Sequence, residues 1–262
     1  MKEKIAMITG AGRGIGKGIA ETLANSGYKC MLIARNNKEI GKLAKKINKK
    51  TKKAWIFECD IASEDSVNIT VQEIIDNHKK INVLVNAAAS GPAIGSSIKF
   101  DLEEWNNVIQ TDLTGTFIVC KSVGKHMIKS KYGRIVNISS FHSVATYPQR
   151  VAYASAKTGV IGLTRALAVE WAEFGITVNA VSPGPIRTPR TNYFLSIDPK
   201  SESRMISRIP VGRLGEVSDV SELVKFLVST EAGYITGQNI VIDGGWLSSS
   251  WFGNYSKVQK SK

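Results

Sequence analysis

Cysteine is scarce: Cys30, Cys59 and Cys120 are the only three in 262 residues. An odd number at wide spacing excludes a disulfide framework and gives no metal-ligand pattern, so they read as reduced core residues of a cytoplasmic protein. No apolar run approaches the roughly 20 residues that span a bilayer. The start, MKEKIAMITG, passes directly into strand-like sequence and lacks the apolar stretch and small-residue end of a signal peptide. No Pro/Ser-rich linker divides the chain, and no segment repeats. Acidic residues are few, 22 against 35 Lys and Arg, for a formal charge of +13. Such a charge can mark a nucleic-acid binder, but the lysines are dispersed. Their densest run, KLAKKINKKTKK (42–53), fits the solvated face and end of a helix. The expected partner is a small molecule, with neither nucleic acid nor membrane, and the positive field would favour phosphorylated or acidic ligands.

What is present is a rhythm. Apolar strand-like runs at 5–10, 29–35, 54–60, 81–89, 133–140, 176–184 and 239–245 alternate with helix-like stretches at 14–27, from Lys38, 64–78, 101–130, 152–174 and 216–229. Near-continuous apolar strands with long crossovers predict an α/β fold, a doubly wound parallel sheet with helices on both faces. Residues 1–246 are expected to form a single Rossmann-type domain, with 247–262 as a C-terminal tail. The stretch 189–210 breaks the rhythm after a strand end, where a short helical lid could close over a ligand.

TGAGRGIG (9–16) stands between the first strand and the first helix. Gly10, Gly14 and Gly16, with Ile15 among them, let the backbone turn tightly and approach a ligand that a Cβ would exclude. The helix that follows offers free N–H groups and a positive dipole end to a pyrophosphate. This placement is the dinucleotide-binding pattern. The second strand, MLIARNN, ends without the carboxylate that many NAD sites place there, and carries Arg35 instead. Arg13 adds a second cation within the loop. Two guanidinium groups suit a 2′-phosphate, so NADP(H) is expected over NAD(H). Asp60 closes the third strand, placed to accept from the adenine amino group, and Asn86 ends the fourth over the same crevice.

Tyr153 and Lys157 in YASAK lie one helical turn apart and point the same way. With TGAGRGIG, the Asp60–Ile61 pair, LVNAAA, NISS, VSPGPIRT and YITGQNIVIDGG, in that order, the chain resembles the short-chain dehydrogenase/reductase family over about residues 3 to 246. The resemblance implies a Rossmann-type sheet of seven strands, a nicotinamide cofactor and a homotetramer. It also implies a catalytic set. Ser140 would donate a hydrogen bond to the substrate oxygen, and Tyr153 would exchange the proton. Lys157 would favour the phenolate of a group that ordinarily ionises near pH 10, and would bind the nicotinamide ribose. In the loop Pro183–Thr188, Pro183 and Gly184 would pack on the nicotinamide. The Ile186 backbone and the Thr188 hydroxyl would hold its carboxamide, leaving the pro-S hydride to transfer.

Two positions depart from the family pattern. NAAA (86–89) replaces Asn-Asn-Ala-Gly, for which a small local rearrangement is expected. Asp112 stands where the family has a catalytic asparagine. Its backbone carbonyl would hold a water linking Lys157 to solvent, and its carboxylate would add negative charge near Lys157. The leading expectation is an NADP-dependent oxidoreductase interconverting a ketone and a secondary alcohol. The alternatives are a 3-oxoacyl-[acyl-carrier-protein] or other acyl-thioester reductase, suggested by GRLGEVSDV and YITGQ, and a cofactor-sensing protein without turnover. His142 beside Ser140 raises a Ser/His hydrolase, which no acid or nucleophile elbow supports. Arg187, Arg190 and Arg204 near the lid could engage an acidic substrate. Trp246, Trp251, Phe252 and Tyr255 could pack at a subunit interface or wall the pocket.

Overall fold

The computed structural model describes residues 4–91, 93–198 and 200–250. Seven strands form one sheet in the order β3-β2-β1-β4-β5-β6-β7, with every pairing parallel. They are β1 (Ile5–Thr9), β2 (Lys29–Ala34), β3 (Ala54–Glu58), β4 (Val83–Asn86), β5 (Gly133–Ile138), β6 (Ile176–Pro183) and β7 (Asn239–Ile242). Both faces are covered, which is why the central strands read as unbroken apolar runs. The two-residue period still sorts them: Ala6 and Ile8 enter one core, Ile5 and Met7 the other.

The first core takes its helical residues from α1 (Gly14–Asn25), α2 (Asn37–Asn48) and, at the far end of the chain, the helix Val217–Leu227. The second takes them from α3 (Glu64–His78), from the second helix of the pair described next, and from α6 (Val151–Trp171). In α2 the buried positions are Ile40, Leu43, Ala44 and Ile47, one stripe at helical spacing, while Lys42, Lys45 and Lys46 face water. The lysine run is thus the solvated face it was expected to be. Cys30, Cys59 and Cys120 are all buried and unbridged. Burial pushes the thiols of Cys30 and Cys120 up to about 12.

One expected element divides. The stretch 101–130 forms α4 (Leu102–Ile109) and α5 (Gly115–Ser130), joined by a π-helical turn, Gln110–Thr114. Such a turn inserts an extra residue into the helix and rotates what it carries; here it carries Asp112, fully buried. The stretch 189–210 is helical, as expected: α7 (Pro189–Ile197) and α8 (Ser201–Ile206) precede the closing helix, α9 (Val217–Leu227). No helix among the described residues is long and apolar enough to cross a membrane.

Candidate active site

Strand order reverses between β1 and β4, and the crevice at their carboxyl ends is where an open α/β sheet takes its ligands. The Thr9 hydroxyl closes the seam, accepting from the backbone N–H of Ala87 at 3.1 Å and of Ala88 at 3.2 Å. Gly10 has φ +65°, and a Cβ there would lie 2.7 Å from the Ala87 carbonyl oxygen. A Cβ on Gly16 would lie 2.3 Å from the Gly10 carbonyl oxygen. The loop must therefore be bare backbone, and the first turn of α1 carries neither a side-chain cap nor an acidic residue. Its N–H groups remain available to an anion, so a dinucleotide pyrophosphate fits this cradle. Thr188 approaches from the far wall, 3.8 Å from where a Gly14 Cβ would stand, with half-buried Ile15 beside the loop. Asn86, Ala87, Ala88 and Ala89 keep this packing without a second amide or a glycine.

On the β2 side of the crevice, Arg13 and Arg35 are exposed, and neither pairs with a carboxylate among the described residues. The exposed Asp60 carboxylate accepts from the Ala62 N–H at 3.0 Å, and Ile61 is buried against Gly115. Sequence reading missed one group. Glu39, in the first turn of α2, lies against Gly12, whose Cβ would stand 2.8 Å from Oε2. The strand end lacks an acid, as read, but this helix brings one alongside. Asn86 turns its amide into the core, donating to Asn137 Oδ1 at 2.9 Å and to Cys120 Sγ at 3.2 Å. Asn137 donates in turn to Thr164 at 2.9 Å, so this side chain braces β4, β5 and α6.

The reacting end is built from α6 and the end of β5. The Lys157 ammonium lies 5.7 Å from the Tyr153 ring centroid and donates to the Ile138 carbonyl at 3.2 Å. Ser139 Oγ donates to the Lys157 carbonyl at 2.9 Å, fixing strand end to helix. Ser140 is buried, and its oxygen accepts the His142 backbone N–H at 3.2 Å. No Ser/His pair forms: the His142 ring bonds Thr146 Oγ1 at 2.9 Å and meets the Tyr153 ring edge-on at 5.6 Å. Asp112 does more than its expected carbonyl role. Its Oδ2 lies 3.4 Å from Lys157 Nζ, and its Oδ1 accepts the Ser90 N–H at 2.6 Å. Its carbonyl accepts the Thr116 hydroxyl at 2.8 Å. One buried carboxylate therefore ties the loop after β4 to the lysine. Breaking such a pair from one side leaves a buried charge uncompensated.

The loop after β6 forms the third wall. Pro183 and Ile186 are buried, and the Gly184 N–H donates to the Ile242 carbonyl at 2.9 Å, fixing the loop to β7. Thr188 Oγ1 accepts the Thr191 N–H at 3.2 Å and caps α7. The three lid arginines separate. Arg187 pairs with Glu202 and Glu216, and Arg204 with Asp198, whereas Arg190 reaches across the crevice to the Ser90 carbonyl at 2.7 Å. Trp246 is buried against Phe141 and Tyr147; Trp251, Phe252 and Tyr255 lie outside the described residues.

Comparison with known proteins agrees with this architecture. A family model described as enoyl-(acyl carrier protein) reductase matches residues 10–247. The 3-oxoacyl-[acyl-carrier-protein] reductase of Buchnera aphidicola subsp. Baizongia pistaciae is 37% identical over 246 residues, covering 93% of this chain and 97% of that one. Among solved structures, the gluconate 5-dehydrogenase of Burkholderia cenocepacia, in complex with NADP and tartrate, is similar with a TM-score of 0.90 and 30% identity, covering 95% of this chain and 97% of that one. ElxO with NADP bound is similar with a TM-score of 0.89 and 33% identity, covering 94% of this chain and 100% of that one. Seven parallel strands, a bare glycine cradle at the switch point and these full-length likenesses lead to one assignment: the chain is an oxidoreductase belonging to the short-chain dehydrogenase/reductase family.

Proposed function

We propose that the protein interconverts a ketone and a secondary alcohol with NADP(H), with Tyr153 as the proton-transfer group. The observation that carries this reading is the Lys157 ammonium 5.7 Å from the Tyr153 ring centroid. A nicotinamide bound there supplies hydride in reduction and accepts it in oxidation. In reduction the Tyr153 O–H bond breaks and its proton joins the carbonyl oxygen, as general-acid catalysis requires. The Lys157 cation stabilises the phenolate left behind, and Ser140 donates to the same substrate oxygen. The hydroxyl oxygen of Ser140 accepts from the His142 N–H, which leaves its hydrogen to donate to the substrate oxygen. Asp112 fixes the lysine and moderates its charge. In oxidation the proton steps run in reverse.

Arg13 and Arg35 favour NADP(H), with Glu39 as an opposing charge. Gly10, Gly14, Ile15 and Gly16 would hold the pyrophosphate, Asp60 and Ile61 the adenine. Ile186, Thr188 and Lys157 would hold the nicotinamide riboside, backed by Pro183 and Gly184. The exposed apolar residues Phe226, Tyr234 and Val241, beside the β7 edge, suit the expected homotetramer, which mass photometry would test. The 37% identity to a 3-oxoacyl-[acyl-carrier-protein] reductase favours a second reading, an acyl thioester as substrate. NADPH oxidation with simple ketones, oxo acids and a 3-oxoacyl thioester separates the two. Binding of NADPH with no turnover across all three would leave a cofactor-sensing protein instead.

A further inference from the structure

Tyr153 faces two cations. On its own helix, Lys157 Nζ lies 5.7 Å from the ring centroid. From the lid, Arg190 in the first turn of α7 brings its guanidinium carbon to 5.7 Å from the same centroid. Both lie within the roughly 6 Å over which a cation interacts with an aromatic ring. Ser90 connects the two. Its carbonyl accepts from Arg190 at 2.7 Å, and its N–H donates at 2.6 Å to Asp112, whose other oxygen lies 3.4 Å from Lys157 Nζ. The lid, the loop after β4, the π-helical turn and α6 thus close a circuit of contacts around the phenol.

The two cations differ in what balances them. Lys157 is buried and faces the Asp112 carboxylate. Arg190 is exposed, and among the described residues no carboxylate pairs with it: Asp198 pairs with Arg204, and Glu202 and Glu216 with Arg187. Three other titratable groups stand nearby. His142, edge-on to the Tyr153 ring at 5.6 Å, is neutral, because burial first and then Arg150 hold it down to about 4. Tyr147, edge-on to His142, stays protonated, since burial pushes it up to about 12. Arg150, three residues before Tyr153, carries its guanidinium to the ring of Phe194, 5.5 Å from that centroid.

A neutral phenol offers a cation only the quadrupole of its ring, whereas a phenolate offers a full negative charge. The pull of Arg190 on Tyr153 therefore grows as the proton leaves, and an interaction that strengthens along the reaction is one that accelerates it. We propose that Arg190 is a positioning residue for proton transfer at Tyr153: a second cation, carried by the lid, that stabilises the phenolate formed when the tyrosine gives its proton to the substrate. This rests on the reading of Tyr153 as the proton-transfer group. Exposure screens the guanidinium, so its effect is smaller than that of buried Lys157.

The test uses full-length wild type, Arg190→Met, Arg190→Lys, Arg204→Met and Tyr153→Phe, with NADP(H) and the ketone or alcohol that wild type turns over fastest. The first readout is the pH profile of kcat for oxidation, which needs the phenolate to accept the alcohol proton. In Arg190→Met, kcat at neutral pH should fall by about 10-fold and the alkaline limb should move up by about one pH unit, with KM and the NADPH Kd within about threefold. Arg190→Lys should recover most of both changes, because it keeps the charge, and Arg204→Met on the same lid should match wild type. The second readout needs no turnover. It is the phenolate absorbance of Tyr153 during alkaline titration, taken as the difference between each form and the same form carrying Tyr153→Phe. That absorbance should appear about one pH unit higher in Arg190→Met.

A limb and an absorbance titration that coincide in Arg190→Met and wild type overturn the proposal and leave the role of Tyr153 standing. A KM or NADPH Kd raised by more than about 10-fold with the limb unmoved also overturns it, since the arginine would then hold substrate or cofactor. Wild-type turnover in Tyr153→Phe sinks the reading of Tyr153 itself, and the proposal with it. Where no carbonyl or alcohol is turned over, the absorbance titration decides alone: a shift supports the second cation, and its absence overturns it.

Discussion

The two ends of the crevice are built by different means. At the glycine-loop end the surface offered to a ligand is backbone, and it exists because Cβ atoms are missing: Gly10 and Gly16 face carbonyl groups at distances no side chain could occupy. At the reacting end the surface is side chain, held from beneath by a buried carboxylate, a strand-end carbonyl and a serine hydroxyl. A backbone cradle depends on shape and tolerates changes of charge around it. A buried side-chain network depends on charge and tolerates little.

The largest expected effects test each end by its own currency. Tyr153→Phe removes the exchangeable proton and should lower kcat by about a thousandfold or more, while NADPH affinity by calorimetry stays within about threefold. Gly16→Val at the other end should do the opposite damage, since its side chain meets the Gly10 carbonyl. NADPH binding should be lost, and the melting temperature should fall by an amount matching about 1–3 kcal/mol. Full turnover in the tyrosine variant, or normal binding in the valine variant, would collapse the contrast.

Smaller effects sharpen it. Arg35→Ala should raise the NADPH Kd by about 10- to 100-fold and leave NADH nearly unchanged, because only the charge-assisted bonds to a 2′-phosphate are lost. Glu39→Gln should tighten NADPH slightly. Asp112→Asn keeps the acceptor for the Ser90 N–H but removes the negative charge facing Lys157. The uncompensated ammonium should then favour the phenolate more strongly, moving the alkaline limb of the oxidation rate to lower pH. An unchanged pH profile with altered kcat would reduce Asp112 to a packing role.

The smallest effect concerns His142, held neutral at about 4, below the ordinary value near 6.5. Below pH 6.5 the unfolded chain takes up a proton that the folded chain refuses, so stability should fall as pH drops from about 6.5 to about 4. Partial exposure limits the contribution to ~1 kcal/mol, or about 2–4 °C in melting temperature. His142→Gln should lack that part of the acid slope.

The glycine-loop end was largely legible in the sequence, because a bare backbone turn requires glycines at fixed places next to a strand. Glu39 was the exception: it belongs to a helix twenty-odd residues downstream, and nothing in the spacing says that its carboxylate returns to Gly12. The reacting end was legible as a set of residue types but not as a network. The stretch 101–130 reads as one helix, and the π-helical turn that delivers Asp112 to Lys157 depends on packing against the loop after β4. Arg190 stands on the lid, and only the fold brings its guanidinium over the ring of Tyr153 on α6.

The sequence by itself determined the alternation of strands and helices, the glycine cradle and the one-turn spacing of Tyr153 and Lys157, since each is a local relation between neighbours along the chain. The tertiary structure decided which charges meet. Asp112 against Lys157 and Glu39 against the loop come from elements far apart in the chain, and electrostatic energy follows distance in space rather than distance along the backbone.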